Sequence, residues 1–426
     1  MRSFALGMVL VGATMFACSD AGGTAAGSGD STEAGGAGAG GRATTGPGSG
    51  GAGGGAAGGS AYAAPHPPMP QAVTQHGPVM TAPKIVAITF DGDTLQADID
   101  TFVGQVVAAT DYWSGATAEY AVGPLATEVP VHVADAPDPT MTDGDVQTWL
   151  AGEIASGDVP QPDANTIYSI FYTASTSVTM QGGSLCQAFQ GYHGDFTLSS
   201  GQEVTYAVMG RCPPPVQGIS DLDNLAAVAS HEFIEAATDP EAFHHPAYSD
   251  VDDDHIAFAI VGGGGEIGDL CAAFPGVFAD TDGIASLVQR VWSNEAAAAS
   301  HDPCQPGGAS PYFNSAPDQD DAFTVGGVAT QGTLIAVGQS KTIALHLYSD
   351  APTSGPWTVS VFDAGAFFGE PTALDFALDK TQGQNGDTIE LTITAVAASP
   401  LEGTPFWIES DLGGVSAVWI GLVANP

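Results

Sequence analysis

Residues 220–240 constrain this chain more than any other stretch. Ser220, with Asp223 three places on, is a helix N-cap pattern, and the alanine-rich run after it favours helix. Asp239-Pro240 ends that run, because proline cannot extend the hydrogen-bond ladder. Leu222, Leu225, Ala226, Ala229, Phe233, Ala236 and Ala237 recur at helical spacing, which predicts a buried or half-buried helix. Into this apolar surface the sequence sets His231, Glu232 and Glu235. Charges there are costly unless they are paired or bound to metal. His231 and Glu235 are four apart, so they stack on one face, where a single helix can offer two ligands to one ion.

The segment His231-Glu232-x-x-Glu235 resembles the HExxH helix of zincin metallopeptidases, with glutamate in place of the second histidine. The resemblance implies His231 and Glu235 as metal ligands and Glu232 as the general base. The resemblance makes zinc the expected cofactor, while two carboxylates with one imidazole would neutralise a divalent ion and so make the oxygen-preferring manganese or calcium alternatives. Downstream, Gly262 to Gly265 leads into Glu266-Ile267-Gly268-Asp269-Leu270-Cys271. Some zincins draw a third ligand from such a glutamate and orient the first histidine with an aspartate a turn later. Glu266 and Asp269 suit those roles, or the reverse. His193 is a further candidate, as ligand, substrate contact or ligand-orienting group, against the plainer reading of a buried structural histidine, and Asp239 is expected to contact substrate or to orient ligands.

The chain has 426 residues, with 7 basic against 48 acidic side chains and a net charge of −41. A surface this negative repels nucleic acid, which sets that class of partner aside. Residues 1–18 carry Arg2 and an apolar run too short to span a membrane, the pattern of a secretory signal. Met15-Phe16-Ala17-Cys18 resembles a bacterial lipobox, which implies lipidation of Cys18 and an exported protein of the cell envelope, either an outer-membrane lipoprotein or extracellular. Contact with the membrane would then be through that lipid alone. Cys186, Cys212, Cys271 and Cys304 remain, an even number that argues for two disulfides with three pairings open. Nearest-neighbour pairing, Cys186 with Cys212 and Cys271 with Cys304, is the expectation.

Residues 19–72 are dominated by glycine, alanine, serine and threonine and read as a disordered tether. Residues 84–90, 129–133, 165–173 and 203–209 read as strands, and Ile99, Phe102, Val103, Val106 and Val107 mark a helix. A second helix is expected near 143–154. Strands and helices thus alternate through residues 73–310. Gln75-His76-Gly77-Pro78-Val79-Met80, Asp111-Tyr112-Trp113 with Tyr120, Gly191-Tyr192-His193-Gly194, Arg211-Cys212-Pro213 and the His231 helix follow in order. This set resembles the EXORDIUM (phosphate-induced protein) family of plant extracellular proteins and its bacterial relatives, which implies export. Asp250, Asp252 and Asp254 copy the first EF-hand positions, but His255 stands where glycine is needed and Val261 where glutamate belongs, so an EF-hand is rejected.

From residue 311 short alternating runs lie between glycine, proline and asparagine turns, a sandwich of about seven strands. The expected fold class is therefore α+β, a zincin-like α/β domain with an active-site helix, followed by an all-β immunoglobulin-like sandwich over 311–426. The leading functional expectation is a lipid-anchored metal-dependent hydrolase, a metallopeptidase acting on protein, peptide or a cell-surface polymer. The alternative is a non-catalytic cell-surface binding protein, for carbohydrate or protein, with a structural or vestigial metal site.

Overall fold

A computed structural model describes residues 62–308, 311–399 and 402–426. The signal peptide, Cys18 and most of the tether lie outside the described residues. Among the described residues no helix is long and apolar enough to cross a membrane. Strand outweighs helix among the described residues.

The first half is built on one mixed sheet. In spatial order its strands are Ala126–Thr127, Lys84–Phe90, Thr166–Tyr172, Glu203–Gly210 and Gly191–Thr197, with Val131–Val133 continuing beside Lys84–Phe90. All neighbours run parallel except the last, which returns antiparallel to Glu203–Gly210 and forms an edge. Successive side chains point to opposite faces. Ile85 and Ala87 therefore join one core while Val86, Ile88 and Phe90 join another, and the same alternation divides Ala207 and Met209 from Tyr206 and Val208. The first face is covered by the helices Gln96–Ala108 and Asp221–Thr238, and the second by Asp143–Ser156.

These helices are capped as their sequences require. Ser220 accepts a hydrogen bond from the Asp223 amide at 3.0 Å, and Thr142 with Asp145 forms a reciprocal capping box. The Asp221–Thr238 helix is buried on nearly every side, because the hairpin strands Phe278–Thr281 and Ile284–Gln289 close over it from beyond the sheet.

The second half is a two-sheet sandwich. One sheet has four antiparallel strands, Phe313–Pro317, Ser340–Ser349, Thr388–Ala395 and Leu374–Leu378. The other has six: Asp321–Val325, Val328–Leu334, Val415–Ala424, Thr404–Leu412, Trp357–Asp363 and Gln382–Gly383. Ten strands thus replace the expected seven or so. Asp321–Val325 is an edge strand with only one partner, and its exposed alternate residues weaken its sequence signal. The halves share one apolar core. Phe258 packs edge-on against Trp419 with ring centres 6.0 Å apart, and Phe274 meets Trp407 at 6.1 Å.

Residues 62–72, placed in the tether by composition, lie along this body. His66 stacks on Tyr348 with ring centres 3.5 Å apart, Met69 is buried, and Ala72–Val73 pairs with Asp250–Val251. Asp252 accepts a hydrogen bond from the Gln71 amide at 2.7 Å and faces His255 Nδ1 at 2.6 Å. The acidic run after residue 250 thus fastens this strap.

Both disulfides have the nearest-neighbour pairing, Cys186–Cys212 and Cys271–Cys304, with sequence separations of 26 and 33. Export through an oxidising compartment fits such bridges. Converting both Cys271 and Cys304 to serine should lower unfolding free energy by about 3–4 kcal/mol in the chain-entropy description. Chemical denaturation of that variant beside the parent would measure the loss, and an unchanged midpoint would contradict it.

Candidate metal centre

Three parts of the chain converge at the buried end of the Asp221–Thr238 helix. The helix supplies His231, Glu232 and Glu235, with Asp239 at its C-terminal cap. The edge strand Gly191–Thr197 supplies His193. Its even residues Tyr192 and Phe196 belong to the far core, so His193 points to the helix side. Glycines and polar residues at 191, 193, 194 and 195 hide the alternation of this strand in the sequence. The third part, residues 262–272, supplies Glu266 and Asp269.

Glycines make room for this approach. A Cβ at Gly264 would lie 1.8 Å from Asp269 Oδ2. One at Gly268 would lie 2.5 Å from His231 Nδ1 and 2.6 Å from Glu235 Oε1. The bare backbone instead donates to Glu235 Oε1 from the Gly268 and Asp269 amides, at 3.0 and 3.1 Å. That fixes Oε1 and turns Oε2 towards His231 Nε2 at 2.9 Å. Asp269 Oδ1 stands 3.8 Å from the same nitrogen. His231, Glu235 and Asp269 thereby bring three ligand atoms within 4.8 Å of one another. Gly268→Ala should force His231 and Glu235 apart and weaken zinc affinity by roughly ten- to a hundredfold. Calorimetric titration checks this, and an unchanged affinity would contradict it.

The two downstream carboxylates are separated. Asp269 joins His231 and Glu235, whereas Glu266 joins His193 and Asp239 in a second group of the same compactness. Glu266 Oε1 is 3.3 Å from His193 Nε2. On its other side the His193 ring faces Glu232 Oε2 at 3.5 Å and Glu235 Oε2 at 3.7 Å. Glu232, His193 and Glu235 thus form a third compact group, which shares one member with each of the other two. The side chains of His193, Glu232 and Glu235 are 5 % exposed or less, while those of His231, Glu266 and Asp269 are 13–18 % exposed and give the cluster its solvent side.

Gln289 was not foreseen. Its Nε2 donates to the Gly268 carbonyl at 2.9 Å and lies 2.6 Å from His231 Nδ1. Fifty-eight residues separate the pair, and no local pattern marks a glutamine on a hairpin strand as a partner of this histidine. A further compact group, Asp195, Glu203 and His244, lies near the surface. Asp195 is already committed there, accepting from the Phe243 amide at 2.7 Å and contacting His244 Nδ1.

Burial and mutual repulsion strengthen proton binding at Glu235, Asp239 and Asp269, and the carboxylates do the same for the two imidazoles. Burial pushes Glu235 up to about 7 against the pull of His231, and with Glu266 beside it lifts Asp239 to about 8. Burial and the Glu235 charge likewise hold Asp269 well above the usual carboxylate range. For the imidazoles burial acts downward, but the carboxylates outweigh it. Glu235, Glu232 and Asp269 raise His231 to about 10, and Glu266, Glu232 and Glu235 hold His193 well above its ordinary value. Burial also acts upward on Glu266, yet His193 and His231 keep it below its ordinary value.

A cavity of about 500 Å³, lined by Thr142, Asp143, Met180 and Phe243 among others, lies on the opposite face of the sheet. There the Tyr192 and Tyr206 hydroxyls donate to Asp143. It does not open onto the cluster.

No family model matches the chain, and no curated protein matches it. Among solved structures, domains 4 and 5 of the S-layer protein SbsC align at 16 % identity and a TM-score of 0.19, over 27 % of this chain and 53 % of that one. The chain thus spans about half the length of that structure. The titin M3 domain aligns at 11 % identity and a TM-score of 0.15, over 26 % of this chain and 95 % of the domain. Likenesses this slight carry no inference about fold or activity.

Proposed function

We propose that this chain is an exported, lipid-anchored metal-dependent hydrolase, a peptidase whose first half works as a zincin-like catalytic domain. The observation that carries the reading is the convergence of His231 Nε2, Glu235 Oε2 and Asp269 Oδ1 beside the carboxylate of Glu232. The donor set fits a borderline or hard divalent ion, zinc first and then manganese or calcium. A cation held there would polarise a scissile carbonyl and acidify a water molecule. Glu232, adjacent on the helix and outside the His231 group, is the residue to accept the proton of that water and pass it to the leaving amine. His193 Nδ1 faces the Glu232 carboxylate at 3.5 Å. Substrates would be peptide, protein or cell-surface polymer presented outside the cell, with the sandwich as a spacing or binding module and Cys18 as the attachment point.

A second reading treats the cation as structural, in a surface protein that binds carbohydrate or protein without turnover. The deep burial of Glu232, whose side chain is 5 % exposed, favours it. The two separate in one assay with the purified full chain and a fluorogenic peptide library. The hydrolase reading expects turnover that a chelator removes and zinc or manganese restores, absent in His231→Ala. Tight metal binding without turnover in any chelator-sensitive form would overturn the hydrolase reading in favour of the structural one.

A further inference from the structure

Five carboxylates, those of Glu232, Glu235, Asp239, Glu266 and Asp269, meet two imidazoles, His193 and His231, in one buried cluster. Among the described residues no lysine or arginine forms an ion pair with any of them. Lys84, Arg211, Arg290 and Lys341 are engaged elsewhere, by Asp163 and Glu128, Asp93, Asp302 and Asp321. One divalent cation on His231, Glu235 and Asp269 serves only the side of the cluster nearer solvent.

The inner side has unmet polar atoms of its own. Asp239 is fully buried; its Oδ1 accepts from the Ala247 amide at 2.6 Å, and its Oδ2 has no hydrogen-bond partner. His193, with 3 % of its side chain exposed, turns Nε2 towards Glu266 Oε1 at 3.3 Å, and that nitrogen also lacks a hydrogen-bond partner. A buried carboxylate oxygen and a buried ring nitrogen without hydrogen bonds of their own are expensive, and a cation between them and Glu266 would satisfy both at once. The opposite side of the ring fits the same role. Glu232 Oε2, also without a hydrogen-bond partner, lies 3.5 Å from His193 Nδ1, where it can accept the remaining ring proton of a histidine ligating through Nε2.

We propose that His193, Asp239 and Glu266 hold a second divalent cation, of the zinc or manganese class, distinct from the one on His231, Glu235 and Asp269. This deepens the metal-dependent reading of the site but draws on a separate set of ligands. The second cation fixes the His193 ring, and the ring in turn positions Glu232 against the first site. His193 is thus a ligand of one cation and a positioning residue for the chemistry at the other.

Metal stoichiometry of the full chain tests this. The protein is stripped with chelator and titrated with zinc in excess magnesium, which occupies weak sites on the acidic surface, and metal is counted after gel filtration. The parent should bind about two equivalents, and Asp239→Asn and His231→Ala about one each. Asparagine keeps the oxygen that accepts from Ala247. Should that variant fail to fold, Glu266→Gln, at a position with 18 % of its side chain exposed, carries the same expectation. A parent that saturates at one equivalent, lost only in His231→Ala, overturns the second site and leaves the first standing. One equivalent lost only in Asp239→Asn supports the inner site and overturns the first. Two equivalents retained by both Asp239→Asn and Glu266→Gln overturn the second site.

Discussion

Replacing Glu232 with glutamine should cut peptide hydrolysis by about 10²–10⁴-fold, the range that a positioned general base supplies, while leaving the metal in place. Glutamine keeps the shape of the side chain but cannot accept a proton from water. Glu232 is not a member of the His231, Glu235 and Asp269 group, so occupancy of that site should not follow the activity. The substitution also removes a charge from a residue only 3 % exposed, which gives no cause for unfolding. Parallel measurements of turnover and bound zinc decide the matter. Full activity in Glu232→Gln would remove the residue from the mechanism, and loss of metal together with activity would make it a ligand rather than a base.

The metal-free protein should become less stable as pH rises from about 5 to about 9, against the usual weakness of proteins at low pH. Glu235 is lifted from 4.5 to about 7, Asp239 from 3.8 to about 8 and His231 from 6.5 to about 10. Each folded value lies above its unfolded one, so the folded state binds these protons more tightly. The stability they contribute is complete below the unfolded values, near 4 for the carboxyls and 6.5 for the imidazole, and is lost as pH climbs through the folded values. Glu266 runs the other way, since its folded value is depressed, and its contribution is present above the ordinary glutamate value and lost in acid. The raised groups outnumber it, so the net trend is downward with rising pH, by several kcal/mol in order of magnitude. Zinc takes the place of these protons, so its stabilisation should grow over the same window, reaching about 4 kcal/mol at a thousandfold excess over Kd. Thermal melts of chelated and zinc-loaded protein across this range test both statements. A chelated protein that gains stability towards alkaline pH, or a zinc increment independent of pH, would contradict them.

Much of the frame was legible because local rules and tertiary structure agree. Ser220 caps the helix it was expected to cap, Asp239-Pro240 ends it, and Lys84–Phe90 is the strand its apolar run announced. The neighbouring pairs of cysteines are the bonded pairs. What failed to show lay where polar residues occupy sheet positions. Gly191–Thr197 carries His193 and Asp195 on the face that a half-buried strand would fill with apolar residues, so it did not read as a strand. Phe313–Pro317 and Leu374–Leu378 carry weak sequence signals for a related reason, being short runs interrupted by polar or turn-forming residues.

The candidate ligands were named from the sequence, yet their grouping was not readable there. Glu266 and Asp269 are three residues apart and face different histidines, because a single helical turn begins between them. His193 and Gln289 come from strands on opposite sides of the helix, and only the folded chain brings them to His231 and Glu232. Helix periodicity reports one face of one element, while a metal centre is a property of several elements at once.

Anomalous diffraction at the zinc edge, from crystals of the full chain grown with zinc, would locate the ion directly. The expected peak lies about 2.0–2.2 Å from His231 Nε2 and from an oxygen of Glu235, with Asp269 in the same coordination shell. A peak bound by other residues, or none within reach of His231 at saturating zinc, would contradict the assignment of this cluster as a metal centre.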